Sequence, residues 1–443
     1  MKVILWPAAS LFLWLFASIC FASVPGDDQD PAALRVNALR LKERIDKLAG
    51  FGGTVDGGVH RVAFSKEDIL SRGYLMDLMK EAGLEVRIDE AGNIIGRREG
   101  KESDLPVIMA GSHSDTVPHG GRFDGSAGVL SAIEAAQVLH ENSITTNHPL
   151  EIVIFTDEEG GLVGSRAMTG TLTPEALGES THSGKIVREG VRLLGGNPEA
   201  ISRAARPEGS LCAFVELHIE QGASLDSRGI DIGVVEGIVG INWWDVYIDG
   251  FANHAGTTPM DARKDALLSA AHLIIAVNRI ALETPGRQVG TVGRIEAFPG
   301  APNVIPDSVI MSLELRDLSA AKIQELFVHI QEEADRIAER FGTPITFDPV
   351  DATAVPAPTD PCIRRLIGEA AKDLGLSAQL MPSGAGHDAQ DMARIVPTGM
   401  IFIPSIGGIS HSPKEHSTPA QLANGANVLL HTLLKIDRSG EIQ

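Results

Sequence analysis

Residues 108–125 read Ile-Met-Ala-Gly-Ser-His-Ser-Asp-Thr-Val-Pro-His-Gly-Gly-Arg-Phe-Asp-Gly, and the fold turns on them. The apolar run 105–110 predicts a buried strand that ends at Gly111. His113 and Asp115 then fall where such a strand would emerge, and a loop rich in Gly and Pro leads to Asp124-Gly125. The apolar spacing of Val129, Leu130, Ile133 and Val138 predicts a helix over 129–139. In open α/β sheets, ligands bind at the edge where strands end and helices begin. His and carboxylate are also the donors that a zinc-type ion takes. Taken alone, the loop fits a polar helix cap equally well, so the rest of the chain has to decide.

A chain of 443 residues exceeds one ordinary core, because cores stop growing near roughly 250–300 residues, so two domains are expected. With 43% hydrophobic residues the chain is globular. Its net charge of −20 argues against nucleic acid, which needs a basic face, and against a polybasic membrane anchor. At the start, Lys2 precedes the apolar Val3-Ile4-Leu5-Trp6 and Leu11-Phe12-Leu13-Trp14-Leu15-Phe16, and Cys20 and Ala22 are small residues spaced for cleavage. This predicts a signal peptide over 1–22, cut after Ala22, and a secreted or periplasmic protein with no membrane attachment afterwards. The competing reading is an uncleaved anchor, against which Pro7 and the short run weigh. Cys212 and Cys362 then remain, too few for a disulfide scaffold.

Outward from the opening stretch, Ser65 is an N-cap for a helix with Asp68 at the capping-box position. Residues 84–89 alternate like a strand, residues 150–155 are a buried strand, and 213–218 another. Strand, helix and strand at the spacing of 105–155 means parallel pairing. Thr173-Pro174 resembles a helix start. From Gly240 the pattern changes: a strand over 241–248, a helix over 262–282, strands over 288–298 and 308–316, a helix over 320–341 stopped by Gly342, and a strand over 344–347. That order, β-α-β-β-α-β, is the ferredoxin-like unit. The expectation is an α/β catalytic domain with a mixed, mostly parallel sheet and helices on both faces. It spans 30–238 and 349–438, and a ferredoxin-like domain over 239–348 interrupts it. Trp243-Trp244 reads as strand packing.

Three further segments deliver chemistry where predicted strands end: Glu158-Glu159 after 150–155, His218 on 213–218, and His411 after Met400-Ile401-Phe402-Ile403. With His113 and Asp124 these make five ligands for a two-metal site, Asp124 being the candidate bridge. A bland reading exists for each residue, since a lone His or a Glu pair in a turn is usually solvated, but four coincidences at strand ends are hard to keep independent. Of two adjacent glutamates, one can bind metal while the other takes the proton of the attacking water.

The motifs Gly-Ser-His-Ser-Asp-Thr-Val, Gly-Gly-Arg-Phe-Asp-Gly, Thr-Asp-Glu-Glu-Gly, Glu-Leu-His-Ile-Glu-Gln-Gly, Asn-His-Ala-Gly-Thr-Thr-Pro-Met, Ser-Gly-Ala-Gly-His-Asp-Ala and Gly-Ile-Ser-His-Ser-Pro-Lys-Glu occur in this order over about 35–435. Together they resemble the hydantoinase/carbamoylase branch of the aminoacylase and carboxypeptidase G metallohydrolases. That branch holds N-carbamoyl-L-amino-acid hydrolases, β-ureidopropionases, and allantoate and ureidoglycolate amidohydrolases. The resemblance implies two divalent ions per subunit, zinc or else manganese or cobalt. His113 and His218 would hold one, Glu159 and His411 the other, and Asp124 would bridge. Glu158 becomes the general base, and Asp115 the carboxylate that orients His113. The inserted domain becomes a lid and homodimer contact, with hinges at 237–240 and near 349. It would bring His254 to the oxyanion and Asn303 and Arg316 to the substrate carboxylate, with Gln221 and His387 as further contacts. For Arg316 the alternative is a salt bridge with Asp317. The implied substrate is a small ureido carboxylic acid whose carbamoyl amide is hydrolysed. The alternatives are an exopeptidase or aminoacylase of the same superfamily, and a metal-free binding domain on the same fold.

Overall fold

The computed structural model describes residues 1–2 and 31–440; the expected cut after Ala22 lies outside the described residues. Two compact units result. In the first, Met1–Leu34, the described part includes a 3-10 turn at Pro31–Ala33. Everything below concerns the second, Arg35–Gln443.

Its first six strands are β1 (Glu85–Ile88), β2 (Ile94–Arg98), β3 (Val107–His113), β4 (Leu150–Phe155), β5 (Leu211–Ile219) and β6 (Ile232–Ile238). Then come β7 (Gly240–Asp249), β8 (Val289–Thr291), β9 (Ile295–Phe298), β10 (Ser308–Asp317) and β11 (Ile345–Ala354). The last three are β12 (Ala357–Pro358), β13 (Ala378–Ser383) and β14 (Thr398–Ile403). Among the described residues, nine of these strands form one sheet in the order β1-β2-β4-β3-β5-β14-β6-β12, with β13 on β6. Its centre, β4-β3-β5-β14, is parallel. Those four strands are buried from end to end, as a sheet covered on both faces requires. Each fully buried Val, Ile, Leu or Phe there contributes about 1.5–3 kcal/mol.

The helix Ser126–Glu141 carries the chain from β3 back to a parallel β4. It is apolar almost all round and holds one buried acid, Glu134, which Arg40 meets at 2.7 Å and Arg44 at 3.0 Å. A charge there is tolerable only because two guanidiniums from the helix Ala38–Ala49 satisfy it.

The other sheet is antiparallel, ordered β11-β7-β10-β8 with β9 also on β10. This is the ferredoxin-like order that the sequence predicts. β10 alternates strictly, burying Val309, Met311, Leu313 and Leu315 against the helices Ala266–Glu283 and Ala320–Phe341. Ser312, Glu314 and Arg316 stand on its opposite face. Trp244 stacks on Phe327 with centroids 4.1 Å apart, as expected, but Trp243 is exposed on the other face and its Nε1 donates to Glu314.

Several expectations need correction. β3 does not stop at Gly111 but runs to His113, which pairs with Phe155 of β4. A hairpin strand, β2, follows the turn at 89–93 and makes this end of the sheet antiparallel. Thr173-Pro174 starts no α-helix; the nearest element is the 3-10 turn Ala176–Gly178. The predicted helix over 262–282 begins at Ala266, where Asp265 caps Leu267 and Leu268 N–H. The predicted strand over 288–298 breaks into β8 and β9, because Gly293 and Arg294 N–H turn to the Ser312 hydroxyl instead of the ladder. β11 continues well past residue 348, so the chain passes between the sheets at Val239 and at 355–356, not near 349.

Candidate metal centre

Because β4, β3, β5 and β14 are parallel, their carboxyl ends meet at one edge, where open α/β sheets bind ligands. β3 ends on His113, β5 carries His218 next to its last residue, and β4 is followed within four residues by Glu158 and Glu159. The loop after β14 brings His411. Asp124 arrives from the long turn after β3, at whose end Gly125 has φ +59°. A Cβ on Gly125 would lie 2.4 Å from the His113 ring, so only glycine lets the turn fold back onto that imidazole.

Asp124 stands at the centre. Its Oδ1 lies 3.4 Å from His113 Nε2 and 3.1 Å from His218 Nε2. Its Oδ2 lies 3.3 Å from His411 Nε2, which is 3.7 Å from Glu159 Oε1. Two ligand groups therefore share one carboxylate: His113, Asp124 and His218, and Asp124, Glu159 and His411. Glu158 Oε2 lies 3.6 Å from His113 Nε2, within reach of the same space. His113 Nδ1 meets the Asp115 carbonyl at 3.1 Å and His218 Nδ1 the Ile219 carbonyl at 2.9 Å. A carbonyl only accepts, so both rings carry a proton on Nδ1 and aim Nε2 inward at Asp124, as metal ligands do.

The carboxylate of Asp115 does something else than expected. It lies 3.7 Å from His113 Nδ1, while its two oxygens accept Glu158 N at 3.4 Å and Glu159 N at 3.2 Å. It therefore orients the glutamate turn, and its main-chain carbonyl orients His113. The turn needs such support, for Asp157 has φ +54°, and Gln221 and His411 share this left-handed geometry at +58° and +53°. With Leu162 at +53°, four non-glycine residues held there at one site are strain kept at a functional site.

The electrostatics follow from burial and crowding. Burial, with Glu159, Asp388 and Asp124 adding, pushes Glu158 well above the usual range although His113 opposes it. Glu159 is pushed up to about 7 by burial and by Asp124. Burial would raise Asp124 as well, but His218, His113 and His411 hold it well below. His411 is raised to about 9, chiefly by its hydrogen bond to Asp124. Glu159 Oε1 and Gln221 Oε1 are buried with no hydrogen-bond donor. Clustered acids, inward-facing imidazoles and orphaned acceptors all fit divalent cations, which would replace the missing protons and donors.

The cavity here is about 220 Å³, lined by Asp124, Glu158, Glu159, Leu162, His218, Gln221, Ala385, Gly386, His387 and His411. A larger one, about 710 Å³ and lined by Arg364, Lys372 and Leu380 among others, contains none of these groups, so volume does not mark the site. Of the expected substrate contacts, Gln221 is present but donates to Asp124 Oδ2 at 2.8 Å. His387 is buried in the cavity wall edge-on to His218, with Nε2 2.8 Å from the Ser383 hydroxyl. Arg316 forks onto Glu314, not Asp317, and donates to the Gly384 carbonyl at 2.6 Å, beside the loop that leads to His387. Like Arg316, His254 and Asn303 do not line the pocket. Both are exposed, and His254 Nδ1 accepts Gly256 and Thr257 N–H.

Glu216 and Glu415 were not among the expected site residues. Glu216 is fully buried, accepts from the Ser112 hydroxyl at 2.6 Å and Ala389 N at 2.9 Å, and braces β3 against β5. Its signal was a lone acid within an otherwise apolar strand. Glu415 receives Phe123 N and Asp124 N, and its only signal was its place four residues after His411.

Comparison with known proteins places this geometry. The family described as peptidase family M20/M25/M40 matches residues 109–435. An N-carbamoyl-L-amino acid amidohydrolase of Geobacillus stearothermophilus is 42% identical over 402 residues, 90% of this chain and 98% of that protein. A ureidoglycolate hydrolase of Arabidopsis thaliana is 39% identical over 417 residues, 91% of this chain and 88% of that protein. A crystal structure of an amidase of the hydantoinase/carbamoylase family from Burkholderia multivorans superposes with a TM-score of 0.84 at 35% identity, covering 91% of this chain and 98% of that one.

Proposed function

This chain belongs to peptidase family M20/M25/M40, and on that premise we propose that it is a metal-dependent amidohydrolase that cleaves the carbamoyl amide of small ureido acids. The observation that carries the reading is the division at Asp124, with Oδ1 facing His113 and His218, and Oδ2 facing His411 beside Glu159. One carboxylate serving two imidazole groups is the donor set for a pair of divalent ions, zinc first, manganese or cobalt as alternatives. The names of the relatives, an N-carbamoyl-L-amino acid amidohydrolase and a ureidoglycolate hydrolase, support a ureido substrate.

When bound, the ions supply a more acidic water and polarise the carbonyl. Glu158 does the proton work: its Oε2 faces the space in front of His113 Nε2, 3.6 Å away, where it takes a proton from the attacking water and returns it to the leaving nitrogen. Arg316 presents the planar fork that suits a substrate carboxylate, a place that Glu314 fills here. The ferredoxin-like unit is the lid and the contact of a homodimer. Its helix Ala266–Glu283 exposes a stripe at heptad spacing, Leu268, Ile275 and Leu282, at 42%, 66% and 77%. His254 then completes the oxyanion site. The N-terminal segment reads as an export signal, for a secreted or periplasmic enzyme.

The test is ammonia release from N-carbamoyl-L-methionine and allantoate, beside amino-acid release from a dipeptide panel, with zinc, manganese or cobalt added. Turnover of the ureido acids is expected. Dipeptide cleavage without any ammonia would instead establish the exopeptidase reading.

A further inference from the structure

We propose that Glu415 is a positioning residue that fixes the aim of Asp124 and thereby sets how the two ions are held; the inference rests on the two-ion reading above. Glu415 is 4% exposed. Its Oε1 accepts Phe123 N at 2.8 Å and Asp124 N at 3.0 Å. Its Oε2 accepts the Ser410 hydroxyl at 3.2 Å, and the same hydroxyl lies 3.1 Å from Asp124 Oδ2. One carboxylate thus grips the bridging residue through its backbone and, by way of Ser410, through its side chain.

The turn is built to admit it. A Cβ on Gly121 would lie 2.1 Å from Glu415 Oε1, so the backbone at 121–124 wraps the carboxylate only because residue 121 is glycine. On the other flank His411, four residues before Glu415, meets Asp124 Oδ2. One short segment, 410–415, therefore holds Asp124 from both sides. A hydroxyl has a single hydrogen, so Ser410 serves Asp124 or Glu415 but not both at once. Were Asp124 to hold cations, that hydrogen would be free to serve Glu415 alone.

The experiment titrates Zn²⁺ into the chelator-stripped full chain, with bound zinc measured by elemental analysis and affinity by competition with a chelating dye. Wild type, Glu415→Ala, Glu415→Gln and Gly121→Ala are compared, and the melting temperature of each stripped protein is recorded. Wild type should take up two ions. Glu415→Ala and Gly121→Ala should bind zinc about 10–100-fold more weakly, the range for losing a group that orients a ligand. Glu415→Gln keeps an oxygen for both N–H groups and should fall between them and wild type. Gly121→Ala displaces the carboxylate while leaving it in the chain, so it decides the matter even if Glu415→Ala does not fold. Wild-type zinc affinity in the variants, with only a lowered melting temperature, would make Glu415 a fold contact and overturn the proposal. Wild type that binds no zinc overturns the two-ion reading itself.

Discussion

The carboxyl of Asp68 lies buried under the site loop and accepts Phe64 N at 2.8 Å. Burial lifts it to about 6 although Arg72 opposes, and the charge of Asp115 adds to the rise. Between about pH 4 and that value the folded chain binds a proton that the unfolded chain has released. Its stabilisation is therefore complete below the unfolded pKa and is lost as pH rises through about 6. Two pKa units amount to roughly 3 kcal/mol. Asp68→Asn keeps an acceptor for Phe64 N–H and cannot ionise, so its melting temperature should gain on wild type between pH 4 and pH 7. Parallel curves would refute the assignment. At the site, Glu158→Gln keeps shape and removes the base; it should lower kcat about 10²–10⁴-fold while zinc content stays at the wild-type level. A loss of zinc alongside activity would make Glu158 a ligand instead. The candidate ligand groups were legible because few residue types bind such ions and they stood where strands end. The partner of Asp68 was not: the capping-box position was right, yet the carboxylate turns to Phe64 N rather than Ser65 N. Nor was Glu415, since it acts on backbone groups 291 and 292 residues away, which no spacing encodes.

Elements with a single strong period read well. The strand Leu150–Phe155 and the helix Ala320–Phe341 stand where their patterns put them, the latter stopped by Gly342 at φ +66°. Those that failed depend on a neighbour. β2 is five residues whose pairing comes from β1 and β4, and the break between β8 and β9 depends on the hydroxyl of Ser312 across the sheet. The close seating of the helix Ser126–Glu141 on β3 and β5 is another such matter. A Cβ on Gly128 would lie 2.1 Å from the Leu217 carbonyl and 2.8 Å from Ser112 Cβ, one residue before each of the candidate ligands His218 and His113. The helix could make room only by lifting off the strands that present both imidazoles. Gly128→Val should therefore destabilise by about 1–3 kcal/mol, as overpacking does, and weaken zinc binding as well. A melting curve and a zinc titration check both, and an unchanged zinc affinity would mean that the helix can shift without moving either ligand.

The molecule as a whole leaves its site short of three expected groups. One edge of the larger sheet supplies His113, Asp124, Glu158, Glu159, His218 and His411, but Arg316 on β10 and His254 and Asn303 on connections of the smaller sheet do not line the same cavity. If the lid reading holds, either the two sheets close on each other or a second copy brings these residues in. The exposed stripe of Leu268, Ile275 and Leu282 favours the second, because a surface of that kind is what a symmetric partner covers. Complementation separates the two routes. His254→Ala and Glu158→Gln should each be inactive alone. Unfolded together in equal amounts and refolded, half of the dimers would be mixed. Each mixed dimer would pair an intact Glu158 in one chain with an intact His254 from the other, at one of its two sites. About a quarter of wild-type activity should return if His254 acts across the dimer. No recovery, with mixed dimers shown by mass to have formed, would place His254 in its own chain and make closure of the two sheets the step that completes the site.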